Sequence, residues 1–478
     1  MRVHHDVLNK SANAFCEMIK LDFLFFYLSI FIYICAPTKF EHCYVLLVLI
    51  LYCANCIYVF RQMYSRIGLY NFSIIFCCSF FLCNFIYPVL VHPYYPIGLM
   101  VHDFDDSYIC RGTALAQLGI SSFLFVENRV LMKRYSLSKR KLILRNDCFD
   151  FFSLFLIWLY ALFILSLSSI SYNSYNEILG SSLTLVSFVH ILVVITMVYR
   201  LSLYSGKRYK VWHILKKEWL FGLGLLVAVL GLMEVGDRGP IIQLFFAIFT
   251  AYYFFIGHVS LKHLCIVMIV GLLGMVYIRN NRIDGQYQTA MEYREQKYNT
   301  TLPFYIEVFT DLIGNARCMY VGLEYVDKED FLYGKSFIKP VLSPIPFLPT
   351  VATQSLFNVP PSELSTGTIL TNETKDLMGR ELEGVGTNNI VDIYMNIGVW
   401  GVCVLMGALG AFVGLLEVKK NDNFYYFFCY CIIISYAIYI PRSTIFDFLR
   451  TILWGVLLIY IRNLFPNRFK HYEIAIHK

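Results

Sequence analysis

Apolar runs of helical length, separated by short polar breaks, dominate the chain. Twelve such runs centre near residues 28, 51, 80, 118, 160, 189, 226, 249, 270, 405, 432 and 455. Each is of the order of the ~17–25 residues that a helix needs to cross the hydrocarbon core. The runs are continuous rather than alternating, which excludes a membrane β-barrel, whose strands turn every second residue to lipid. The pattern predicts an all-α polytopic membrane protein with about twelve transmembrane helices. The first run starts at Lys20–Leu21 behind a mostly polar stretch without a small-residue cleavage site, so it reads as a retained helix.

One segment breaks the pattern. Between the ninth and tenth runs, residues 279–391 are too long and too mixed for a linker and predict a subdomain capping one face. The chain then divides into 1–278, spans one to nine; 279–391, the loop subdomain; and 392–478, spans ten to twelve with a tail. Within the loop, "FYIEVFTDLIGNARCMYVGLEYV" at 304–326 places Tyr305, Val308, Phe309, Leu312, Ala316, Met319 and Leu323 on one helical face. That spacing predicts an amphipathic helix lying at the bilayer surface. "KPVLSPIPFLP" follows with four prolines and predicts an extended stretch. A polar, glycine-containing stretch, "TNETKDLMGRELEGVGTNN", leads into the tenth span.

Charge decides the orientation. The chain is 58% hydrophobic and only 15% charged, against about 25% charged in a soluble domain. With the N-terminus inside, 25 of the 40 lysines and arginines fall on the inside segments. Five (Lys39, Arg111, Arg238, Arg442 and Arg450) fall on short outside loops. Arg279 and Arg282 stand close enough to a membrane end to weigh against this assignment, but the excess still puts both termini in the cytoplasm. The net charge of +7 thus reflects topology and does not point to nucleic acid. Most of the fifteen cysteines lie inside the apolar runs, where cysteine serves as a small hydrophobe. Cys110 and Cys318, both outside, are the candidates for a pair.

The candidate chemistry starts at "LMEVGDRGPIIQL", residues 232–244. Each ionised side chain at a bilayer centre costs about 2.5–3.5 kcal/mol on insertion scales, so Glu234, Asp237 and Arg238 must sit at the water interface or in a wet cavity. One reading is an interfacial salt bridge. The other is an outward-facing pocket with an arginine for an anion and an acid for proton transfer. Further outside arginines favour the pocket: Arg279 and Arg282 close the ninth span, Arg442 and Arg450 flank "PRSTIFDFLR", and Arg317 and Arg380 lie in the large loop. Guanidinium forks grip phosphate oxygens in pairs. The acidic cluster Asp103, Asp105 and Asp106 reads as a solvated loop rather than a cation site. His92 and His102 are alternative bases that the sequence places beside no arginine.

The plan of inside termini, a large outside loop between late spans and a Gly-Asp-Arg-Gly turn resembles the Wzy-type O-antigen polysaccharide polymerases. "GVGTNNIVDIYMNIGVWGV" at 384–402 is similar to the segment that carries those proteins from the loop into the next span. The resemblance implies a metal-independent glycosyltransferase without cofactor in the bacterial inner membrane, with the large loop in the periplasm. Such chemistry needs one base for an acceptor hydroxyl, and Asp237 and Glu234, beside Arg238, are the candidate catalytic residues for it. Arg238, Arg279, Arg282, Arg317, Arg380, Arg442, Arg450, Asn388, Asn389 and Asp392 would bind diphosphate or glycan. The expected partners are an undecaprenyl-diphosphate-linked oligosaccharide, membrane lipid and a chain-length regulator protein. An O-antigen ligase and a polysaccharide flippase are the alternatives: the ligase shares the loop and the carrier chemistry, while the flippase lacks a large external subdomain.

Overall fold

Eleven of the twelve apolar runs fold as helices in the computed structural model. It describes residues 21–68, 70–94, 104–134, 149–167, 188–204, 211–235, 238–257, 274, 309–378 and 386–464. The ninth run lies outside these residues except for Gly274. The first nine helices are α1 (Leu21–Ile34), α2 (His42–Ile67), α3 (Phe72–Asn84), α4 (Ser107–Arg134), α5 (Phe149–Leu167), α6 (Phe188–Ser202), α7 (Val211–Lys217), α8 (Trp219–Val235) and α9 (Arg238–Phe255). The loop subdomain contributes α10 (Thr310–Ile313), α11 (Ala316–Lys328), α12 (Ile338–Leu342), α13 (Leu348–Phe357) and α14 (Thr366–Met378). The last three are α15 (Asn389–Lys419), α16 (Phe424–Tyr436) and α17 (Phe448–Leu464). No strand occurs among the described residues. Among the described residues, three helices, in α2, α4 and α15, are long and apolar enough to cross a membrane by length and composition, and eight shorter apolar helices accompany them.

The centre of the molecule is the parallel pair α4 and α15. Gly407, Gly410 and Gly414 line the side of α15 that meets residues 122–130 of α4. A Cβ on Gly410 would stand 2.3 Å from the Phe123 carbonyl oxygen, and one on Gly414 would stand 3.3 Å from the Glu127 oxygen. Within a bilayer, apolar side chains gain nothing by leaving lipid for protein, so close backbone approach through small residues does the holding.

The helix ends sort onto two faces. On one, Asn128 of α4 donates to both Asp22 oxygens and to Gln62. On that face Ser73 also donates to Glu127, Tyr70 meets Thr250 at 2.9 Å, and Lys420 pairs with Glu417 at 2.5 Å. The other face carries the α3 end, the starts of α4 and α15, residues 437–450 and the loop subdomain.

Two local expectations fail. The 304–326 stretch is no single surface helix. Among its described residues α10 ends at Ile313, the chain turns at Gly314–Asn315, and α11 follows with Cys318, Met319, Val321 and Leu323 buried. Its apolar face is real, but it packs on protein: a Cβ on Gly322 would collide with Val391 of α15 at 2.2 Å. The proline-rich stretch is not extended either. Pro340 lies in the first turn of α12 and Pro349 in that of α13, where the missing N–H has no helical partner to lose. Cys110 and Cys318 are both buried and are not joined in a disulfide, and the Cys110 sulfur lies 3.5 Å from the Lys39 oxygen.

Candidate functional site

The loop face is organised by the start of α15. Asn388 is extended and caps that helix by accepting from the Ile390 N–H at 3.0 Å. Its amide donates to Asn84 Oδ1 (2.9 Å), at the end of α3, and to Asn315 Oδ1 (3.0 Å), before α11. Asn315 in turn donates to the Thr387 oxygen at 2.7 Å. Three asparagines from distant parts of the chain thus satisfy one another away from water.

One turn further, the buried Asp392 accepts from Ser336 at 2.8 Å and from Thr366. Asn396 donates to Ser336 (2.7 Å) and to the Asp392 carbonyl (2.6 Å). The Leu332 N–H reaches the Met395 oxygen at 2.7 Å. Beyond it the helix breaks at Gly398, whose φ of 73° glycine adopts without strain, and where a Cβ would also crowd the Phe331 ring at 3.3 Å. These bonds fasten residues 332–366 to α15.

Beside this frame stand the cations. Pro441 and Arg442 lie on a single 3₁₀ turn, 440–442, which Ser79 of α3 pins through the Ile438 oxygen at 2.8 Å. Arg442 is half-exposed and close enough to Cys83, the neighbour of Asn84, for its charge to act there. Arg450, also half-exposed, lies 5.8 Å over the Trp454 ring in the first turn of α17. Both Arg450 and Asp447 act electrostatically on Tyr436, whose hydroxyl bonds Thr451 at 2.8 Å. Gln243 of α9 is a neighbour of Tyr436 and of His190, which meets Tyr160 at 3.1 Å. Arg238 begins α9 five residues before Gln243, or about 7 Å along the axis at 1.5 Å per residue. The start of α9 therefore lies on the same face as Arg442 and Arg450.

The expected residues divide accordingly. Arg442 and Arg450 share this face with Arg317, which is half-exposed two residues after Asn315. Glu234 is exposed in the last turn of α8. Asp237, Arg279, Arg282 and Arg380 lie outside the described residues, as does the side chain of Arg238. Asn388, Asn389 and Asp392, expected at the substrate, are buried in the frame. Asp392 and Asn388 bond other parts of the chain, and Asn389 reaches Met406 Sδ at 3.5 Å. Arg111 is committed to protein, to Asp327 at 2.6 Å and to the Tyr394 hydroxyl. His92 is buried 3.7 Å from Asp106 and edge-on to Phe40. Burial holds His92 below the ordinary histidine range, and the Asp106 carboxylate opposes that shift. His102 and Asp103 lie outside the described residues. Among the described residues, no His, Cys, Asp and Glu gather in threes that could hold a metal ion.

Sequence reasoning missed Asn84, Asn315, Ser336, Thr366 and Asn396. Asn315 and Asn388 each precede a helical run, the pattern of a capping residue. Their pairing across 73 residues carried no signal in the sequence.

Comparison with curated proteins and with solved structures returned no match. The apolar helices, the polar frame at one face and a family model that matches residues 17–468 agree: this multi-pass membrane protein belongs to the O-antigen polysaccharide polymerase Wzy family.

Proposed function

We propose that the chain polymerises undecaprenyl-diphosphate-linked O-antigen repeat units at the periplasmic face of the bacterial inner membrane. The growing glycan moves from its carrier onto the non-reducing end of a new lipid-linked unit. The observation that carries this reading is the pair Arg442 and Arg450, half-exposed beside a rigid polar frame in a chain of this family.

The chemistry asks little more. An acceptor hydroxyl attacks the anomeric carbon of the donor, the bond from that carbon to the diphosphate oxygen breaks, and the diphosphate leaves with the electron pair. Guanidinium forks neutralise the charge that develops on the leaving oxygens, in place of a metal ion. The acceptor proton passes to a carboxylate, for which Asp237 and Glu234 are the candidates. The buried acids and amides of α15 keep the loop in register with the arginines.

The lipopolysaccharide ladder of a deletion strain tests the reading. A single repeat on the lipid core supports a polymerase, whereas a core bearing no repeat assigns the chain to ligation or an earlier step. Sidedness is tested separately with an impermeant thiol reagent on Lys328→Cys, an exposed position. Labelling above the native-cysteine background with the inner membrane intact is the expected result.

A further inference from the structure

Residues 331–362 contain no acidic side chain, and Lys335 and Lys339 are their only charges. Inside this stretch α12 and α13 pack on one another as a hairpin with its tip at 343–347. The hairpin turns its apolar residues outward: Val341, Ile345, Val351 and Leu356 are exposed, and Phe347 is 83% exposed. Phe347 holds φ at 65°, a left-handed conformation that a bulky aromatic residue seldom adopts. A loop in water gains nothing from such a tip.

The hairpin's position supplies the reason. The Pro344 carbonyl accepts from the Trp454 indole at 2.6 Å, and Phe337 packs against Phe446 at 5.1 Å. Trp454 lies six residues into α17, about 9 Å below the start of that apolar helix at 1.5 Å per residue. The hairpin therefore descends alongside the span rather than resting above it. Next to Trp454, Leu453 and Leu457 of α17 are exposed and continue the apolar surface. Lys335, 5.9 Å from the Phe357 ring, and Lys339 stand at the base of the hairpin, where anionic headgroups attract basic residues.

We infer that the 338–357 hairpin is a membrane-dipping element whose tip, Ile345 to Phe347, is seated among the acyl chains of the leaflet on the loop face. Amphipathic segments bury an apolar side about 5–10 Å into that boundary, which agrees with the depth at which Pro344 meets α17. The element anchors the loop subdomain to the bilayer between Ser336 and Thr366, the two residues whose hydroxyls bond Asp392 of α15.

Full-length protein in nanodiscs of phosphatidylethanolamine and phosphatidylglycerol tests this. An environment-sensitive fluorescent amino acid replaces Phe347, and in separate samples Val351 or Asn372, an exposed position on α14. Phospholipids bearing a nitroxide on the acyl chain should quench position 347 several-fold more strongly than aqueous iodide does, and position 372 the reverse. Iodide quenching 347 as strongly as 372 places the tip in water and overturns the inference. Protection of 347 from both quenchers means that protein covers it, which also overturns it. Position 351 gives the same readout should the 347 replacement fail to accumulate. Because quenching does not depend on polymer synthesis, this result stands apart from the ladder test.

Discussion

Replacing Asp392 by alanine separates a fastening role from contact with substrate. The carboxylate is buried and accepts from two hydroxyls, Ser336 just before α12 and Thr366 at the start of α14. Its removal strands both hydroxyls where water cannot reach. Each such loss costs about 1–3 kcal/mol, so roughly 2–6 kcal/mol is withdrawn from docking of the loop on α15. At 1.4 kcal/mol per tenfold, the undocked population rises by between about thirty-fold and four orders of magnitude. Asp392→Asn keeps the shape and one acceptor oxygen and should lose less. Hydrogen exchange on the purified full-length protein reads the effect directly, at the Leu332 amide that reaches Met395 and along 366–374. Protection should fall there in Asp392→Ala, with the O-antigen ladder shortened in proportion and Asp392→Asn in between. A ladder abolished while exchange stays at the wild-type level would place Asp392 on the substrate and refute the fastening argument.

Gly410→Ala should lower thermal stability in detergent by the equivalent of about 1–3 kcal/mol, because its Cβ meets the Phe123 backbone at 2.3 Å. Gly222→Ala, with nothing within 4 Å, should be neutral or slightly stabilising, and equal melting of the two variants would contradict the close approach of α4 and α15. Arg442→Ala should slow polymerisation about ten- to a hundred-fold, the loss of one charge-assisted contact of roughly 1.5–3 kcal/mol. Arg442→Lys, which keeps the charge without the fork, should fall between; full-length ladders from Arg442→Ala at native abundance would remove the residue from the site, and Arg238 can be judged by the same pair of substitutions. His92 has its folded pKa lowered by burial, so its contribution is complete above its unfolded value near 6.5 and is lost as pH falls through the folded one. Melting measured from pH 7 down to pH 5 should fall less steeply in His92→Gln than in the parent, and an unchanged slope would show that this group is not responsible.

Much of the architecture was written locally. A run of twenty apolar residues can satisfy its backbone in a bilayer only as a helix, so eleven of the twelve runs were legible without any knowledge of their neighbours. The arginines at 442 and 450 were likewise visible as charges at helix ends. The proline-rich segment misled because proline forbids a helix interior but not its first turn, and which position it takes depends on where the helix starts. The 304–326 stretch showed a genuine apolar face, but periodicity cannot say whether that face meets lipid or protein.

What the sequence determined by itself is therefore the all-helical, membrane-like class and the places of the apolar runs, since both follow from interactions between residues a few positions apart. Tertiary structure decided which buried polar groups meet. Asn84, Asn315 and Asn388 satisfy one another, and Asp392 finds Ser336 and Thr366, because an unpaired polar group in a dry interior costs more than the ordering needed to pair it. The glycines of α15 acquired their meaning in the same way, when α4 came within contact of their backbone. The exposed tip at Phe347 did so when the Trp454 indole fixed the neighbouring Pro344 carbonyl beside α17.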